Sequence, residues 1–397
     1  MIQERTSPRA RPAMRFVLLV GILSFFADCT YEGARGVLGP YLSTVGASAT
    51  IIGVVMGLGE LLGYGLRAVS GAVADFSRRF WPITIVGYVV QMASVPALAL
   101  THDWRSAALL VIAERVGKAI RNPPRDVMLA NAAQHIGGYG WVFGIHEAFD
   151  QFGAMVGPLV VAAVLAQRGS YHAAFAVLAV PAALNLLFVF LARLLYPTPE
   201  EMKTADQRSS HATQRFPSVF WLYVVGAGLV AAGFADYPII AFHWARGGVL
   251  GSEWIPIFYA VAMAVSGGGS LLLGRLFDRY GFVVLIGLTC ISALFAPLVF
   301  LVDHFVAALL GVALWGLGMG VHESIIPAAV APMIAAERRA SAFGAFTALY
   351  GVCWFAGSAV IGWLYDRSIV ATVVFCLLVQ AAAIPAFLIV RRKLETK

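Results

Sequence analysis

The amino-acid sequence predicts an all-α membrane protein in which twelve transmembrane helices form two pseudo-symmetric six-helix bundles. Three observations support this prediction. First, 60% of the 397 residues are hydrophobic and only 12% are charged, about half of the charged fraction of a soluble domain. Second, the apolar residues are grouped into segments long enough to cross a bilayer. Third, several short motifs in the first half of the chain recur in the second half.

Twelve segments of the chain have the length and apolar composition of a membrane span, which takes about 20 residues. In order, they are 15–43, 49–73, 81–101, 104–130, 140–167, 171–196, 218–244, 253–276, 282–302, 305–333, 341–365 and 369–391. Residues 1–13 are polar and basic and are predicted to form a cytoplasmic tail. The longest hydrophilic run, 197–217, is predicted to be a cytoplasmic linker between an N-terminal bundle (14–196) and a C-terminal bundle (218–397) with a short basic tail.

The basic residues of the loops alternate from one side of the predicted membrane to the other. One set of loops and tails holds Arg78, Arg79, Lys203, Arg208, Arg215, Arg275, Arg279, Arg338, Arg339, Arg391, Arg392, Lys393 and Lys397. The opposite loops hold only Arg105, Arg168, Arg246 and Arg367. The positive-inside rule then places both termini in the cytoplasm. This distribution accounts for the net charge of +7 without a nucleic-acid partner.

Two sets of residues recur at nearly the same spacing in the two halves. Phe143–Gly144 is followed by Gly157, and Phe343–Gly344 is followed by Gly357, an offset of 200 residues. Asp75 and Asp278 lie in equivalent loops at an offset of 203. These matches predict an internal duplication. Repeated half-bundles are typical of secondary transporters, which bind their substrate at the interface between the repeats.

The loop after the second span carries a motif with a family resemblance. It reads GAVADFSRR from Gly71 to Arg79, and it resembles the G-x-L-x-D-R-x-G-R-R signature of the major facilitator superfamily. Gly71, Asp75, Arg78 and Arg79 match, whereas Ser77 and a missing glycine depart from the signature. A second copy follows span eight, with Gly274, Arg275, Asp278, Arg279 and Gly281. The resemblance implies that both loops are cytoplasmic gating loops.

Three further features extend this resemblance to nearly the whole chain. Gly153, Gly157 and Pro158 match the G-x-x-x-G-P motif that exporters of the superfamily carry in span five, and glycines four residues apart let helices approach closely. Arg115 lies where the superfamily has a buried arginine in span four. The segments SFFADCTYEGARG in span one and ERVGKAIRNPPRD in span four are similar to those of a bacterial subgroup of the superfamily. The resemblance implies alternating access between two bundles, and the exporter motif favours export over uptake.

Spans one and two contain ionisable residues, which are costly in a membrane and usually face a partner or a water-filled path. Asp28 and Glu32 are four residues apart and share a helix face. Two ionised carboxylates there would repel, so one of them is expected to carry the coupled proton near neutral pH. The alternative is an internal ion pair of these acids with Arg35. Glu60 in span two either contributes to coupling or pairs with an arginine of span four.

Residues 114–158 hold the highest density of charge in the chain. Glu114 and Lys118 are predicted to form a local pair, and Arg115, the deepest cation of span four, is expected to contact substrate or the proton site. Pro123 and Pro124 are expected to kink or end the helix near Asn122. Nearby Arg121, Arg125 and Asp126 are predicted to form a cytoplasmic gate with the Asp75 loop, although a basic stripe that attracts an anionic substrate is an alternative.

Other ionisable residues lie in span five and in the second half. Asp150 lies four residues after His146 and three residues after Glu147. This arrangement favours a proton relay over a metal site, because no second histidine or cysteine has ligand spacing. Asp236 in span seven, with His322 and Glu323 in span ten, are the candidate cavity residues of the C-terminal bundle. The four cysteines, Cys29, Cys290, Cys353 and Cys376, are predicted to be buried thiols.

We therefore expect a multi-pass transporter of the bacterial inner membrane that couples protons to the movement of a small polar or charged solute. The alternatives are divalent-metal efflux and a non-transporting sensor with the same fold. No Walker A, ATPase or hydrolase motif is present, so the sequence predicts neither an enzyme nor a cofactor. The expected partners are the substrate, protons and the lipid bilayer, and the protein is expected to be a monomer.

Overall fold

The computed structural model describes residues 10–136, 139–197, 216–330, 333–334 and 338–395. The described residues form helices and connecting turns, with no strand among them. The first helix begins at Ala10, inside the segment predicted as a tail, whereas residues 1–9 of that tail lie outside the described residues. Most of the predicted linker, 198–215, also lies outside them.

The first half contains six of the predicted spans, and each corresponds to one helix or to two consecutive helices. The helices are α1 (Ala10–Thr44), α2 (Ala49–Ser77), α3 (Phe80–Ala97, followed by a 3₁₀ turn at Leu98–Leu100), α4 (Trp104–Ala133), α5 (Tyr139–Arg168), α6 (Tyr171–Val177) and α7 (Ala179–Leu195). Ser48, Asp103 and Ser170 are N-cap residues whose side chains accept backbone N–H groups of α2, α4 and α6, so polar caps set these helix starts.

The second half contains the other six predicted spans, three of them interrupted. Its helices are α8 (Ser218–Ala232), α9 (Tyr237–Gly247), α10 (Trp254–Tyr280), α11 (Phe282–Ala293), α12 (Phe295–Phe300), α13 (Phe305–Gly320), a π-helical turn at Val321–Ile325, α14 (Ile326–Ala328), α15 (Arg339–Tyr365) and α16 (Ile369–Glu395).

Ten helical segments in the described part of the chain are long and apolar enough to cross a membrane, and α10 is an eleventh if its bend of 41° is counted within one span. The remaining predicted span corresponds to α4, which is 30 residues long but has a much more polar composition. This composition reflects the six ionisable residues from Glu114 to Asp126. A membrane protein of the predicted fold class is therefore confirmed, and the count of twelve crossings with two cytoplasmic termini remains a prediction.

Pro123 and Pro124 were expected to kink or end α4 near Asn122, and the structure excludes an end there, because the helix continues through both prolines to Ala133. A proline at position 123 has no N–H to donate to the carbonyl of Ala119. The hydroxyl of Ser70 on α2 donates to that carbonyl instead, at 2.8 Å. A neighbouring helix thus satisfies the group that the proline leaves free, and the helix can continue.

The break between α8 and α9 is stabilised by side chains of other helices. Residues 233–236 leave backbone carbonyls without helical partners, which is costly inside a membrane. Gln380 donates to the carbonyl of Gly233 at 3.0 Å, and the indole of Trp315 donates to that of Ala235 at 2.8 Å. The break therefore faces protein, and it places Asp236 at the start of α9.

The repeat seen in the sequence extends to helix packing. Gly157 of α5 packs against α1 so closely that a Cβ at this position would overlap the carbonyl oxygen of Cys29. Gly357 of α15 packs in the same way against the carbonyl oxygen of Ala232 on α8. The glycines are 200 residues apart and their partners are 203 apart, the two offsets of the sequence motifs. Gly157 of the G-x-x-x-G-P segment and its counterpart Gly357 therefore each make a close helix-to-helix backbone contact within their own half.

The contacts between the two halves extend from one end of the bundle to its middle. Helix α2 packs on α15, α5 on α10 and α1 on α9, with Gly53 directly against the carbonyl of Ser358. These contacts lie toward the loops that include residues 45–48 and 366–368, the end that the positive-inside rule places outside, which we call the outer end. At the other, inner end, Val73 and Phe76 of α2 are 50% and 95% exposed. The structure is thus closed at the outer end and open at the inner end.

The cysteines are free thiols, and the prediction that all four are buried is confirmed for Cys29 and Cys376 but not for Cys290 and Cys353. Cys29 and Cys376 are buried, Cys353 is half-buried and Cys290 is exposed. An apolar span has a face toward lipid as well as a face toward protein. An apolar sequence context therefore does not determine whether a thiol is covered by other helices.

We predict that Gly157→Ala destabilises the protein by about 1–3 kcal/mol, because the added methyl group overlaps a backbone carbonyl that cannot move without shifting α1. Gly144→Ala in the same helix is the matched control, because a Cβ there meets open space. The measurement is the Tm of the two purified variants in detergent. An unchanged Tm for Gly157→Ala would contradict the close packing.

Candidate functional site

The centre of the site is Arg35, a buried residue of α1 that contacts both halves of the protein. Its Nη2 donates to Oε1 of Glu60 on α2 at 3.1 Å. The same nitrogen lies 3.7 Å from Oδ1 of Asp236, at the start of α9 in the second half. The suggested internal pair of Arg35 with the acids of its own helix is not formed, because Glu60 and Asp236 are its ion-pair partners.

Arg115 of α4 binds the same carboxylate from the other side. Its Nη2 is 3.2 Å from Oε1 of Glu60, and its Nε is 3.4 Å from Oε2 of Glu114. Gln91 of α3 donates to Oε1 of Glu114 at 2.8 Å. Glu60 is thus shared by two buried guanidinium groups, Arg35 and Arg115, and its suggested pairing with an arginine of span four is formed.

The predicted local pair between Glu114 and Lys118 is wrong. Glu114 contacts Arg115 and Gln91, while the ammonium group of Lys118 donates to the hydroxyl of Tyr31 on α1 and lies 3.8 Å from the centre of its ring. Spacing along one helix made the pair plausible. The neighbouring helices α1 and α3 offer an aromatic face and an amide that the sequence pattern does not reveal.

Asp236 is held by three groups, two from α15 and one from α1. The indole of Trp354 donates to its Oδ1 at 3.1 Å, and the hydroxyl of Ser358 donates to Oδ2 at 2.5 Å, both from α15. Arg35 adds its charge from the first half. Only 1% of Asp236 is exposed, so this carboxylate depends on the other half for its only ion pair in the described part of the chain.

The two acids predicted to share a face of α1 have different partners. Glu32 accepts a hydrogen bond from the hydroxyl of Tyr259 on α10, which is a second polar contact between the halves. Oδ1 of Asp28 lies 3.7 Å from Nη2 of Arg121. Arg121 also donates to Gln91 at 2.5 Å and to the hydroxyl of Tyr88 at 3.1 Å. Asp28 therefore belongs to the first half alone, whereas Glu32 connects the halves.

The predicted cytoplasmic gate is not formed in this structure. Arg125 binds Asp126 at 2.8 Å and Ser24 at 3.4 Å, and no ion pair joins it to Asp75 within the residues that the structure describes. Asp75 and the equivalent Asp278 are both exposed.

The other residues of the two signature loops are at helix ends. Arg78 adopts a left-handed conformation (φ 55°) where the first loop lacks the glycine of the signature, and Gly281 has φ 59° in the second loop. Arg79, Arg275 and Arg279 are exposed, while Gly71 and Gly274 are half-buried. These loops are available for contacts when the inner end closes.

Three further predicted residues, His146, Glu147 and Asp150, lie on α5 next to this network. Nε2 of His146 is 3.5 Å from Oδ2 of Asp150, and Gln151 donates to Glu147 at 2.9 Å. Oδ1 of Asp28, Oδ1 of Asp150 and both ring nitrogens of His146 are buried without a hydrogen-bond partner among the described residues. No group of three or more His, Cys, Asp or Glu side chains in that part of the chain is arranged to hold a metal ion.

In the second half, two predicted residues lie on the π-helical turn of span ten. His322 is buried and its Nδ1 is hydrogen-bonded to the hydroxyl of Tyr350. Glu323 is exposed toward the open inner cavity and accepts a hydrogen bond from Ser266 at 3.3 Å. A π-helical turn offsets consecutive side chains from the regular helix and is frequent at functional sites.

A small pocket beside the network is lined by both buried arginines. It lies between α1, α3 and α4, and apolar side chains of these helices form the rest of its wall. Its polar residues are Tyr31, Arg35, Glu114 and Arg115. The volume of the pocket, about 10 Å³, has room for about one water molecule, so in this structure the pocket is too small to hold a solute.

Several contacts of the site involve neutral residues that sequence reasoning missed. Tyr31, Gln91, Tyr259, Trp354 and Ser358 all bind charged groups of the network. Neutral polar and aromatic side chains are ordinary in a membrane helix, so their presence alone carries no signal. Among them, Ser358 is only one residue from Gly357, and the duplicated glycine motif was the one pattern that pointed to this part of α15.

Comparison with known proteins gives a family match over most of the chain. The family model described as Major Facilitator Superfamily matches residues 20–358. An uncharacterized protein of Mycobacterium tuberculosis (strain ATCC 25618 / H37Rv) is 39% identical over 389 residues, which are 96% of this chain and 95% of the relative. An uncharacterized MFS-type transporter of Methanocaldococcus jannaschii is 24% identical over 373 residues, 92% of each chain.

Two further comparisons concern a shorter match and a solved structure. The multidrug resistance protein MdtH of Klebsiella pneumoniae (strain 342) is 26% identical over 157 residues, 38% of this chain and 37% of that protein. The crystal structure of the nucleoside transporter NupG has the same fold, with a TM-score of 0.72 at 17% identity. The similarity covers 95% of this chain and 98% of that one.

We predict that Glu60→Gln lowers the free energy of unfolding by on the order of 3 kcal/mol, because it leaves two buried guanidinium groups without their shared carboxylate. The matched control is Glu147→Gln. It neutralises an exposed carboxylate that accepts one hydrogen bond, from the side-chain amide of Gln151, and it should change stability by less than about 0.5 kcal/mol. The measurement is the Tm of both variants. Equal Tm values would show that the shared carboxylate is not a stabilising element.

Proposed function

The chain belongs to the major facilitator superfamily, and from this premise we propose that it is a proton-coupled secondary transporter of a small polar or charged solute. Membrane transport of the secondary type follows from the family. Proton coupling, the class of solute, the direction of export and the location in the bacterial inner membrane are the parts that we propose.

The observation that carries the proposal is the ionic network between the halves. Arg35 and Glu32 of the first half bind Asp236 and Tyr259 of the second half, and these contacts lie near the centre of the bundle. In transporters built from two repeats, the substrate binds at the interface between the repeats near the middle of the membrane. The network therefore lies where a solute and the opposite half compete for the same charged groups.

Alternating access makes this competition necessary. When the outer end opens, Arg35 must separate from Asp236, and Tyr259 from Glu32. An unpaired buried charge costs about 3–5 kcal/mol, so each carboxylate needs another source of neutralisation in that state. A proton on a carboxylate or a charged group of the substrate supplies it, which couples ion and solute binding to the movement of the halves.

Asp28 is the residue that we assign to proton binding. It is buried, its only ion pair in the described part of the chain is the 3.7 Å contact with Arg121, and its Oδ1 has no hydrogen-bond partner there. His146 and Asp150 on the adjacent α5 provide further unpartnered polar atoms along the same half. A proton that enters from the open inner cavity would satisfy these atoms, and we propose that they form a proton relay.

Export is supported by sequence similarity. The G-x-x-x-G-P segment of the superfamily's exporters is present at Gly153–Pro158 and packs against α1. The multidrug resistance protein MdtH matches this chain over 157 residues. Divalent-metal export has less support, because His146 and Asp150 form only a pair of candidate ligands. A non-transporting sensor would need neither a released proton nor a changing network between the halves.

The experiment that tests the proposal uses purified protein in proteoliposomes. A panel of metabolites, drugs and divalent metals is first screened by thermal shift of the protein, and each compound that binds is then tested for uptake driven by an imposed pH gradient. Transport of a solute with accompanying proton movement supports the proposal. Binding without transport under any gradient would favour a sensor, and transport that does not respond to the pH gradient would remove proton coupling.

We predict that Asp28→Asn abolishes transport driven by a pH gradient and preserves the fold, because asparagine keeps the shape of the side chain but cannot release a proton. Exchange of solute between two solute-filled compartments should continue without a pH gradient. The matched control is Asp126→Asn, which neutralises a half-buried carboxylate bound to Arg125 outside the inter-half network. Retained gradient-driven transport in Asp28→Asn would show that the coupled proton is held elsewhere.

A further inference from the structure

A second polar contact joins the halves at the outer end, outside the spans and away from the central network. Asp366 follows the last residue of α15 in the second half, and α2 of the first half begins at Ala49. Oδ1 of Asp366 accepts the backbone N–H of Ala49 at 3.1 Å. Oδ2 accepts the N–H of Thr50 at 2.8 Å and the hydroxyl of Thr50 at 2.6 Å.

These bonds are helix capping supplied by the opposite half. The first N–H groups of a helix have no partner within it, and a side chain just before the helix usually accepts some of them. Ser48, the N-cap residue of α2, accepts only the N–H of Ile51, at 3.3 Å. The N–H groups of Ala49 and Thr50 are left to Asp366, and the positive end of the helix dipole also favours a carboxylate there.

We propose that Asp366 is a latch that holds the outer end closed by capping α2 across the interface between the halves. In the closed state the carboxylate binds two backbone N–H groups and one hydroxyl. In a state that is open at the outer end, α2 and α15 separate, and water must replace all three donors. The latch thus stabilises the closed outer end relative to the open one.

The duplicated fold has two equivalent contacts between the halves, α2 on α15 and α5 on α10. Among the described residues, the latch is found only where α2 packs on α15. With the offset of 200 residues that relates Gly357 to Gly157, the position equivalent to Asp366 is Ala166 at the end of α5. Alanine has no side-chain acceptor, and Glu253, the N-cap residue of α10 at that contact, makes no capping bond with its own side chain. The carboxylate is therefore a local addition to the repeat, which general helix packing does not require.

The latch should be independent of pH in the physiological range. Partial burial opposes ionisation of Asp366, but the hydrogen bonds from Thr50 and Ala49 outweigh it and hold the pKa of the carboxyl below its usual value of 3.8. A carboxyl whose pKa is lowered in the closed state stabilises that state above its ordinary pKa and loses the effect only as the pH falls below it. The charged and titratable groups around this corner are Arg367, Arg246, Asp303 and His243, whose Nδ1 is hydrogen-bonded to the hydroxyl of Tyr365 at 2.8 Å.

The test measures the distance between the halves in purified protein without substrate. Spin labels are placed at Thr44 on α1 and Ala245 on α9, two exposed positions on opposite halves at the outer end, in a transport-competent background without native cysteines. The distance distribution is recorded for the parent protein, Asp366→Ala and Asp366→Asn. Asparagine keeps one acceptor oxygen but lacks the charge, so its effect should lie between those of the other two.

Asp103→Ala is the matched control. Asp103 is also an exposed capping aspartate at the outer end, but it accepts N–H groups of Arg105 and Ser106 in its own helix α4. Its removal should cost a cap without changing the contact between the halves. A shift seen in Asp366→Ala and absent in Asp103→Ala therefore reports the interface and not the general loss of a cap.

We expect Asp366→Ala to raise the ratio of outer-open to outer-closed protein on the order of three- to tenfold at constant pH between 5 and 8, the effect of losing charge-assisted hydrogen bonds at a partly exposed site. An unchanged distribution, or an equal shift in Asp103→Ala, would overturn the latch. Because the measurement needs neither a solute nor a proton gradient, its failure would leave the proposed transport function untouched, and failure of proton coupling would leave the latch standing.

Discussion

The guanidinium group of Arg35 is the interaction on which the arrangement of this protein most depends. It is buried on α1, and its charge is balanced by Glu60 in its own half and by Asp236 in the opposite half. A buried ion pair contributes little net stability compared with apolar packing, but it is strongly unfavourable to leave one partner uncompensated. The network therefore links the position of one half to the charge state of the other.

The remaining contacts between the halves divide into two kinds with different consequences. Near the middle of the bundle they are ionic or charge-assisted, with Arg35, Glu32, Asp236 and Tyr259. Toward the outer end they are backbone contacts between closely packed helices, with Gly53 against the carbonyl of Ser358, together with the cap that Asp366 places on α2. Ionic groups can exchange partners with a proton or a solute, whereas close backbone packing either persists or is lost as a unit. This combination of contacts suits two halves that alternate between two arrangements.

The charge is distributed unequally between the halves, and the structure gives this asymmetry a physical form. In the first half, α1, α2 and α4 carry Arg35, Glu60, Arg115 and Glu114 in direct contact. In the second half, Asp236 lies among neutral donors, Trp354 and Ser358, and aromatic rings surround His322. The first half is thus electrostatically self-sufficient, and the second half depends on Arg35. Proton-dependent changes in the first half would therefore be transmitted to the second through Arg35 and through Glu32, which Tyr259 binds.

Periodicity and composition predicted the positions of the helices well, because the cost of an unsatisfied backbone in lipid leaves few alternatives to a helix in an apolar segment. The continuation of α4 past Pro123 and Pro124 was not predictable, because the replacement donor is Ser70 on another helix. In the site, the ionisable residues could be selected from the sequence since charge is rare in this chain. Their partners could not: the same spacing that suggested Glu114 with Lys118 is overridden by Gln91 and Tyr31 on adjacent helices.

The sequence by itself determined that the chain is a helical membrane protein with an internal repeat and charged residues inside its spans, because these properties depend on local composition and on intervals along the chain. Only the tertiary structure decided that Arg35 joins the halves, that Glu60 is shared by two arginines, and that Asp366 caps a helix 317 residues earlier in the chain. Electrostatic and hydrogen-bond energies depend on distances between atoms, and helices that are far apart in sequence acquire those distances only when they pack.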